Sequence, residues 1–159
     1  MLVYTSSMYS KIMVPLDGSK LSERAIAPAF EIARHRKAEV FLVRAFEPTI
    51  LPPAARGFVD QDALHEQEKA DVEKYLKSVV PKDQERWSMS ALKGPAAEAV
   101  LKFAESQEIE LIVLTTRGGS GLERWLLGSV AERISRHAPC PVLSIGQRTL
   151  RALESKMEG

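Results

Sequence analysis

An α/β fold built on an open parallel sheet is predicted by three features of this sequence. Short, nearly continuous apolar runs alternate with longer segments whose apolar residues recur at helical spacing. The runs lack the polar alternation of a strand with one wet face, so helices are expected to cover both sides. The two most distinctive loops, rich in Gly, Ser and Asp or Arg, each follow one of these runs. A chain of 159 residues suits a single domain with its own core.

The elements follow in order. Lys11–Leu16 (KIMVPL) reads as a buried strand that Pro15 ends, because proline has no N–H for the ladder. Asp17-Gly18-Ser19 is a turn. Leu21–Arg36 carries Ala25, Ile26, Ala29, Phe30 and Ala33 at helical spacing, with Ser19 or Ser22 as cap and a kink expected from Pro28. Glu39–Phe46 is a second strand, and Pro48, Pro52, Pro53 and Gly57 mark a loop after it. Asp60–Val80 is a long polar helix stopped by Pro81. Arg86–Leu92 is a third strand, and Gly94-Pro95 opens a helix over Ala96–Gln107. Leu111–Thr115 (LIVLT) is a fourth, fully apolar strand. Val130, Ala131, Ile134 and Ala138 mark the next helix face, and Val142–Ile145 is the last strand. Residues 1–10 read as a loose leader, 11–146 as the domain, and 147–159 as a tail with a short helix over Thr149–Met157.

Right-handed crossovers favour a three-layer α/β/α arrangement with strand order 3-2-1-4-5. The chain then leaves strands 1 and 4 in opposite directions. The crevice between them is the switch point where open α/β sheets place ligands. Both distinctive loops fall there.

Composition narrows the function. A net charge of +1 supplies no field for nucleic acid. No run reaches the roughly 18 apolar residues of a membrane span. Cys140 is the one cysteine, which excludes an internal disulfide and fits a reducing cytoplasm. No GxxxxGK[ST] loop, no GxGxxG after the first strand and no GxSxG elbow occurs. His35, His65 and His137 read as surface residues on three helices, Cys140 as a buried inert thiol, and Arg124, Arg133 and Arg136 as a solvated face. Trp125 packs under its loop or meets a partner.

The remaining signal is a phosphate site. Phosphate needs converging N–H donors, which close-approaching glycine backbone and a helix start provide. Thr116–Gly121 and Gly128-Ser129 supply both parts, with Ser129 capping the helix and Arg117 pairing with phosphate oxygens. Ser129 would cap a helix in any protein, and glycine-rich loops join many strands to helices. Asp17, at the end of the first strand, is either a ribose-binding carboxylate or a turn aspartate that accepts from Ser19.

These residues resemble the universal stress protein family. The likeness is carried by IMVPLDGS at Ile12–Ser19, KGPAAEAVLKFA at Lys93–Ala104, and LIVLTTRGGSGLERWLLGSVAERISRHAPCPVLSI at Leu111–Ile145. It implies a Rossmann-like, adenine nucleotide alpha hydrolase-like fold. It further implies ATP binding and a homodimer through the last strand. The family motif runs Gly, two residues, Gly, nine residues, Gly, then Ser or Thr. Gly118, Gly128 and Ser129 match it, whereas Thr115 stands in place of the first glycine. The resemblance implies Asp17 at the ribose, Pro15 and the backbone of Ala45 at the adenine, and Val130 at the phosphates. Arg117 falls at a variable position where a polar side chain reaches the ligand. Thr115 would be strained at positive φ but is at ease at a strand end.

Three functions compete. The first is a stress-response sensor or regulator that binds ATP, with a magnesium or manganese ion riding on the triphosphate. The second, motivated by Thr115, is an interaction protein of the same fold that binds no nucleotide and serves an unknown protein partner. The third is a slow ATPase, for which the sequence offers no general base beyond Asp17. Dimerisation has its own physical motive, since Val142–Ile145 is an apolar sheet edge that the tail or a second copy must cover.

Overall fold

The computed structural model describes residues 8–55, 57–116, 128–146 and 155. The loop residues Arg117 and Gly118, Trp125, and all of the expected tail helix except Ser155 lie outside the described residues. The strands are β1 (Lys11–Pro15), β2 (Glu39–Phe46), β3 (Trp87–Lys93), β4 (Leu111–Thr115) and β5 (Val142–Ile145). They form one parallel sheet in the order β3-β2-β1-β4-β5, as the sequence predicts. The helices are α1 (Lys20–Glu23), α2 (Ile26–Arg36), α3 (Gln61–Ser78), α4 (Ala96–Ser106) and α5 (Ser129–His137).

Side-chain alternation along the strands builds two cores. Ile12, Val14, Val40, Leu42 and Val113 face α2 and α3, where they meet Ala29, Phe30, Val72 and Leu76. Met13, Phe41, Val43, Ile112 and Leu114 face the other way, onto Ala97, Val100 and Ala104 of α4 and Ile134 of α5. The central strands are therefore buried on both faces, which is why they carry no polar alternation.

The single helix expected over Leu21–Arg36 is two helices. Proline clashes with the carbonyl four residues before it, here that of Arg24. The chain breaks at Arg24-Ala25 and restarts at Ile26. Pro28 then sits in the first turn of α2, where its missing N–H leaves no bond unmade. Ser19 caps α1 by accepting from the Ser22 amide at 3.1 Å.

β1 and β4 pair only at Ile12↔Leu111 and Met13↔Ile112, whereas β1 and β2 stay paired to Pro15↔Val43. Leu16 donates to the Val43 carbonyl at 2.8 Å. Neighbouring residues of a strand within a sheet bond to opposite sides. Leu16 serves β2, so the missing N–H of Pro15 falls on the β4 side. The two strands part there, and the crevice opens at their carboxyl ends.

At the opposite end of the sheet, Glu110 fastens the segment that enters β1. Its carboxylate accepts from the Tyr9 and Ser10 amides at 2.8 and 2.9 Å and from Ser10 Oγ at 2.6 Å. The Ser10 hydroxyl, then the Ser10 and Tyr9 amides, hold this carboxyl below its usual range against the opposing effect of burial. A carboxyl whose folded pKa is depressed stabilises the fold above its unfolded pKa and loses that contribution as pH falls through the folded value. Glu110→Gln is therefore expected to flatten the fall in Tm between about pH 6 and about pH 3. Thermal melts of both proteins across that range check it, and equal acid sensitivity would contradict it.

Candidate functional site

The crevice encloses about 500 Å³ at the carboxyl ends of β1, β2 and β4. Seven of the nine residues expected at the site line it: Pro15, Asp17, Ala45, Thr115, Gly128, Ser129 and Val130. The other two, Arg117 and Gly118, lie outside the described residues. The strand order thus brings the loop after β1 and the start of α5 to one place, although more than 100 residues of sequence separate Ser19 from Gly128.

Asp17 does what a turn aspartate does. Its Oδ1 accepts from the Ser19 amide at 2.8 Å. Burial pushes the carboxyl up, but hydrogen bonds from the Ser19 side chain and amide, and from Ser22, outweigh it and hold the group below its usual value. Asp17 is therefore a carboxylate at neutral pH. A carboxylate has acceptor capacity for several hydrogen bonds, so the turn role leaves room for a ribose hydroxyl.

Thr115 ends β4 and is absent from the residues with positive φ, so it carries no left-handed strain. Its hydroxyl donates to the Leu21 carbonyl of α1 at 2.9 Å. The side chain thereby ties the end of β4 to the helix that follows β1, and both residues line the crevice. The residue that stands where the resemblance leads one to expect glycine has a structural task.

Ser129 does not cap α5, which corrects the expectation from sequence. Gly128 is the N-cap, with φ −53° and ψ 147°, and Ser129 is the first helical residue. The helix starts one residue early because the extended Gly128 already supplies the carbonyl that accepts from the Glu132 amide at 2.9 Å. No side chain among the described residues caps this end. Its first residues, Gly128 to Ala131, line the crevice, and a helix start supplies the backbone donors that an anion site requires. The Gly128 backbone angles suit any residue, and a Cβ there would meet no described atom within 4 Å. Neither backbone strain nor described packing demands glycine at 128. What glycine adds is room for close approach to the helix start. Val130, the next residue, is exposed at the crevice.

Sequence reasoning missed Arg44. It sits inside an apolar run, where nothing marks it as different from the polar end of a strand. In the structure Arg44 is among the residues that line the crevice, and its guanidinium lies over the Tyr75 ring of α3, with Cζ 4.8 Å from the centroid. A Cβ on Gly18 would stand 3.0 Å from that guanidinium, and Gly18 has φ +87°. Only glycine fits this close, left-handed turn without strain. Tyr75 Oη donates to Glu23 Oε1 at 3.3 Å, and Lys20 Nζ reaches Glu23 Oε2 at 2.7 Å. Burial, and then the Glu23 carboxylate, push the Tyr75 phenol up to about 12. Tyr75 therefore stays protonated and keeps donating.

Asp17 is the only carboxylate lining the crevice among the described residues, and no histidine lines it. No group of three His, Cys, Asp or Glu side chains able to hold a metal occurs among the described residues. His35 pairs with Glu31 at 3.0 Å, His65 reaches the Thr49 carbonyl at 3.3 Å, and His137 ends α5 on the surface. Cys140 is half-buried rather than fully buried as the sequence suggests, and burial pushes its thiol up. No described helix is long and apolar enough to cross a membrane.

Comparison with known proteins agrees with this fold. A universal stress protein of Methanocaldococcus jannaschii is 37% identical over 145 residues, covering 87% of this chain and 83% of the relative. Among solved structures, a universal stress protein in complex with cAMP superposes with a TM-score of 0.60 at 23% identity, covering 88% of this chain and 98% of the other. The universal stress protein from Archaeoglobus fulgidus in complex with dAMP gives a TM-score of 0.58 at 24% identity, covering 87% and 97%. At such identities these two establish the fold. The model of the universal stress protein family matches residues 8–145, and the chain belongs to that family.

Proposed function

We propose that the crevice is an adenine-nucleotide site, with ATP among its ligands, and that the chain is a stress-response regulator whose state follows nucleotide occupancy. One observation carries the reading: Asp17 and the start of α5 at Gly128-Ser129, which no described side chain caps, line the same crevice. Asp17 would take the ribose hydroxyls. Pro15 and the Ala45 backbone would border the adenine. Gly128, Ser129 and Val130, with Arg117 and Gly118 of the loop, would surround the phosphates. The family membership supports this, as do the fold neighbours solved with cAMP and with dAMP. The negative φ of Thr115 and its bond to Leu21 remove the conformational argument for a site that rejects nucleotide. With one carboxylate on the crevice wall, a magnesium or manganese ion would be held chiefly by the nucleotide's own phosphates. Slow hydrolysis would need a base, and the described lining offers only Asp17.

We further propose that two copies pair through β5. It is the last strand of the sheet, and Leu143 on it is 40% exposed beside exposed Ser144. An apolar edge of this kind is covered in stable proteins. Pairing like edges closes a two-fold dimer.

Calorimetric titration with ATP and magnesium is expected to give saturable binding in the parent. Asp17→Asn should weaken it by about tenfold, the loss of one charge-assisted hydrogen bond. The far-ultraviolet circular dichroism should not change. A parent that shows no heat at millimolar ATP overturns the nucleotide reading. Sedimentation is expected to find a dimer that Leu143→Lys converts to monomer, and a monomeric parent overturns the pairing.

A further inference from the structure

β1 and β4 stop pairing at Met13↔Ile112, so the sheet does not hold the end of β4 against the chain that follows β1. The Thr115 hydroxyl supplies that hold. It donates to the Leu21 carbonyl at 2.9 Å, from a position 94 residues away in sequence, and both residues line the crevice.

Leu21 belongs to α1, which has little else to fix it. The helix is four residues long and contains no buried residue, and Leu21 is only half-buried against the core. A helix of one turn does not persist by itself. The next residue, Ser22, carries the hold onward. Its hydroxyl accepts from the Asp17 amide at 3.3 Å and donates to the Ser19 carbonyl at 2.9 Å, and its amide donates to Ser19 Oγ at 3.1 Å. Asp17 Oδ1 accepts in turn from the Ser19 amide at 2.8 Å. A side chain on β4 thus reaches the Asp17 turn through adjacent residues of α1. Glycine at position 115 would have no atom to make this bond. The Leu21 carbonyl also accepts from the Arg24 amide at 3.2 Å, so removing the Thr115 hydroxyl orphans no acceptor there. Its loss would act on the placing of α1.

We propose that Thr115 is a positioning residue: its hydroxyl latches α1 onto β4 and sets the Asp17 turn before any ligand arrives. With the latch the set turn predominates, and without it the released turn does. A ligand of the crevice then binds the parent without having to order α1, and the ordering cost avoided appears as affinity. That effect on affinity rests on the nucleotide reading of the crevice, whereas the latch itself does not.

Amide exchange and calorimetric titration of the full chain, with ATP and magnesium as probe, test this in the parent, Thr115→Val and Thr115→Ser. The reporters are the amides of Ser22, Glu23, Arg24 and Ala25, each bonded within the turn. Without ligand they are expected to exchange roughly threefold to tenfold faster in Thr115→Val, the effect of one hydrogen bond. Amides of α4 that exchange by openings local to that helix should keep their rates, because those openings leave the latch closed. Thr115→Val should bind ATP severalfold more weakly than the parent, by at most the factor that separates their exchange. Thr115→Ser keeps the hydroxyl and should restore both values to within about twofold. Circular dichroism confirms the fold of each variant. Equal exchange of α1 in the parent and Thr115→Val overturns the proposal. So does an equal acceleration of α1 and α4, which would make Thr115 a support of the whole fold, and so does an unchanged ATP affinity. If ATP does not bind the parent, the nucleotide reading falls, and the exchange of α1 decides the latch alone.

Discussion

Pro15 has no amide hydrogen, and it stands where β1 would next have donated one to β4. Pairing between these two central strands ends at Met13↔Ile112, while β1 remains joined to β2 as far as Pro15↔Val43. A parallel sheet is normally continuous because each backbone donor finds an acceptor, and an unmet partner inside a core is costly. Here the missing donor coincides with the place where the chain leaves β1 and β4 in opposite directions. The opening therefore needs no broken hydrogen bond at Pro15. Everything assigned to the crevice follows from it: Asp17 two residues beyond Pro15, Thr115 at the end of β4, and the helix start at Gly128-Ser129.

The walls of the crevice are held by polar ties, because its floor is built from core side chains such as Leu114, Val100 and Ile134. Thr115 bonds the Leu21 carbonyl. Ser19, Ser22 and the Asp17 carboxylate fix the turn after β1. Arg44, Tyr75, Glu23 and Lys20 extend that turn outward onto α3. α1 is only four residues long, too short to be stable by itself. It is held in place by these contacts and by the burial of Ala25 and Ile26 just after it. The loop that would face a ribose is thus preorganised, and binding would cost little ordering of the backbone there.

Much of this was legible in the sequence. The bounds of β2, β4 and β5 are those of the apolar runs EVFLVRAF, LIVLT and VLSI. β4 and the middle of β2 are largely buried, so their limits show in composition, whereas β5 is apolar although Leu143 and Ser144 on it are exposed. The strand order followed from alternation and handedness. The first helix was less legible, because helical spacing continues through Arg24 while the steric demand of Pro28 acts four residues upstream. The role of Ser129 was misassigned by one residue, since Gly128 and Ser129 are both acceptable caps and only the backbone angles decide between them. Arg44 was invisible for a different reason. Its partners Gly18 and Tyr75 are 26 and 31 residues away, on separate elements, and no local pattern connects them.

The central claim is that one ligand is held between the loop after β1 and the start of α5. Backbone amide chemical shifts of the isotope-labelled protein, followed during titration with an adenine nucleotide, test it most directly. Concerted shifts of Asp17, Gly18, Ala45, Gly128 and Ser129 at a single affinity are the predicted result. Binding that shifts one loop alone, or residues on the α3 surface instead, would contradict the account.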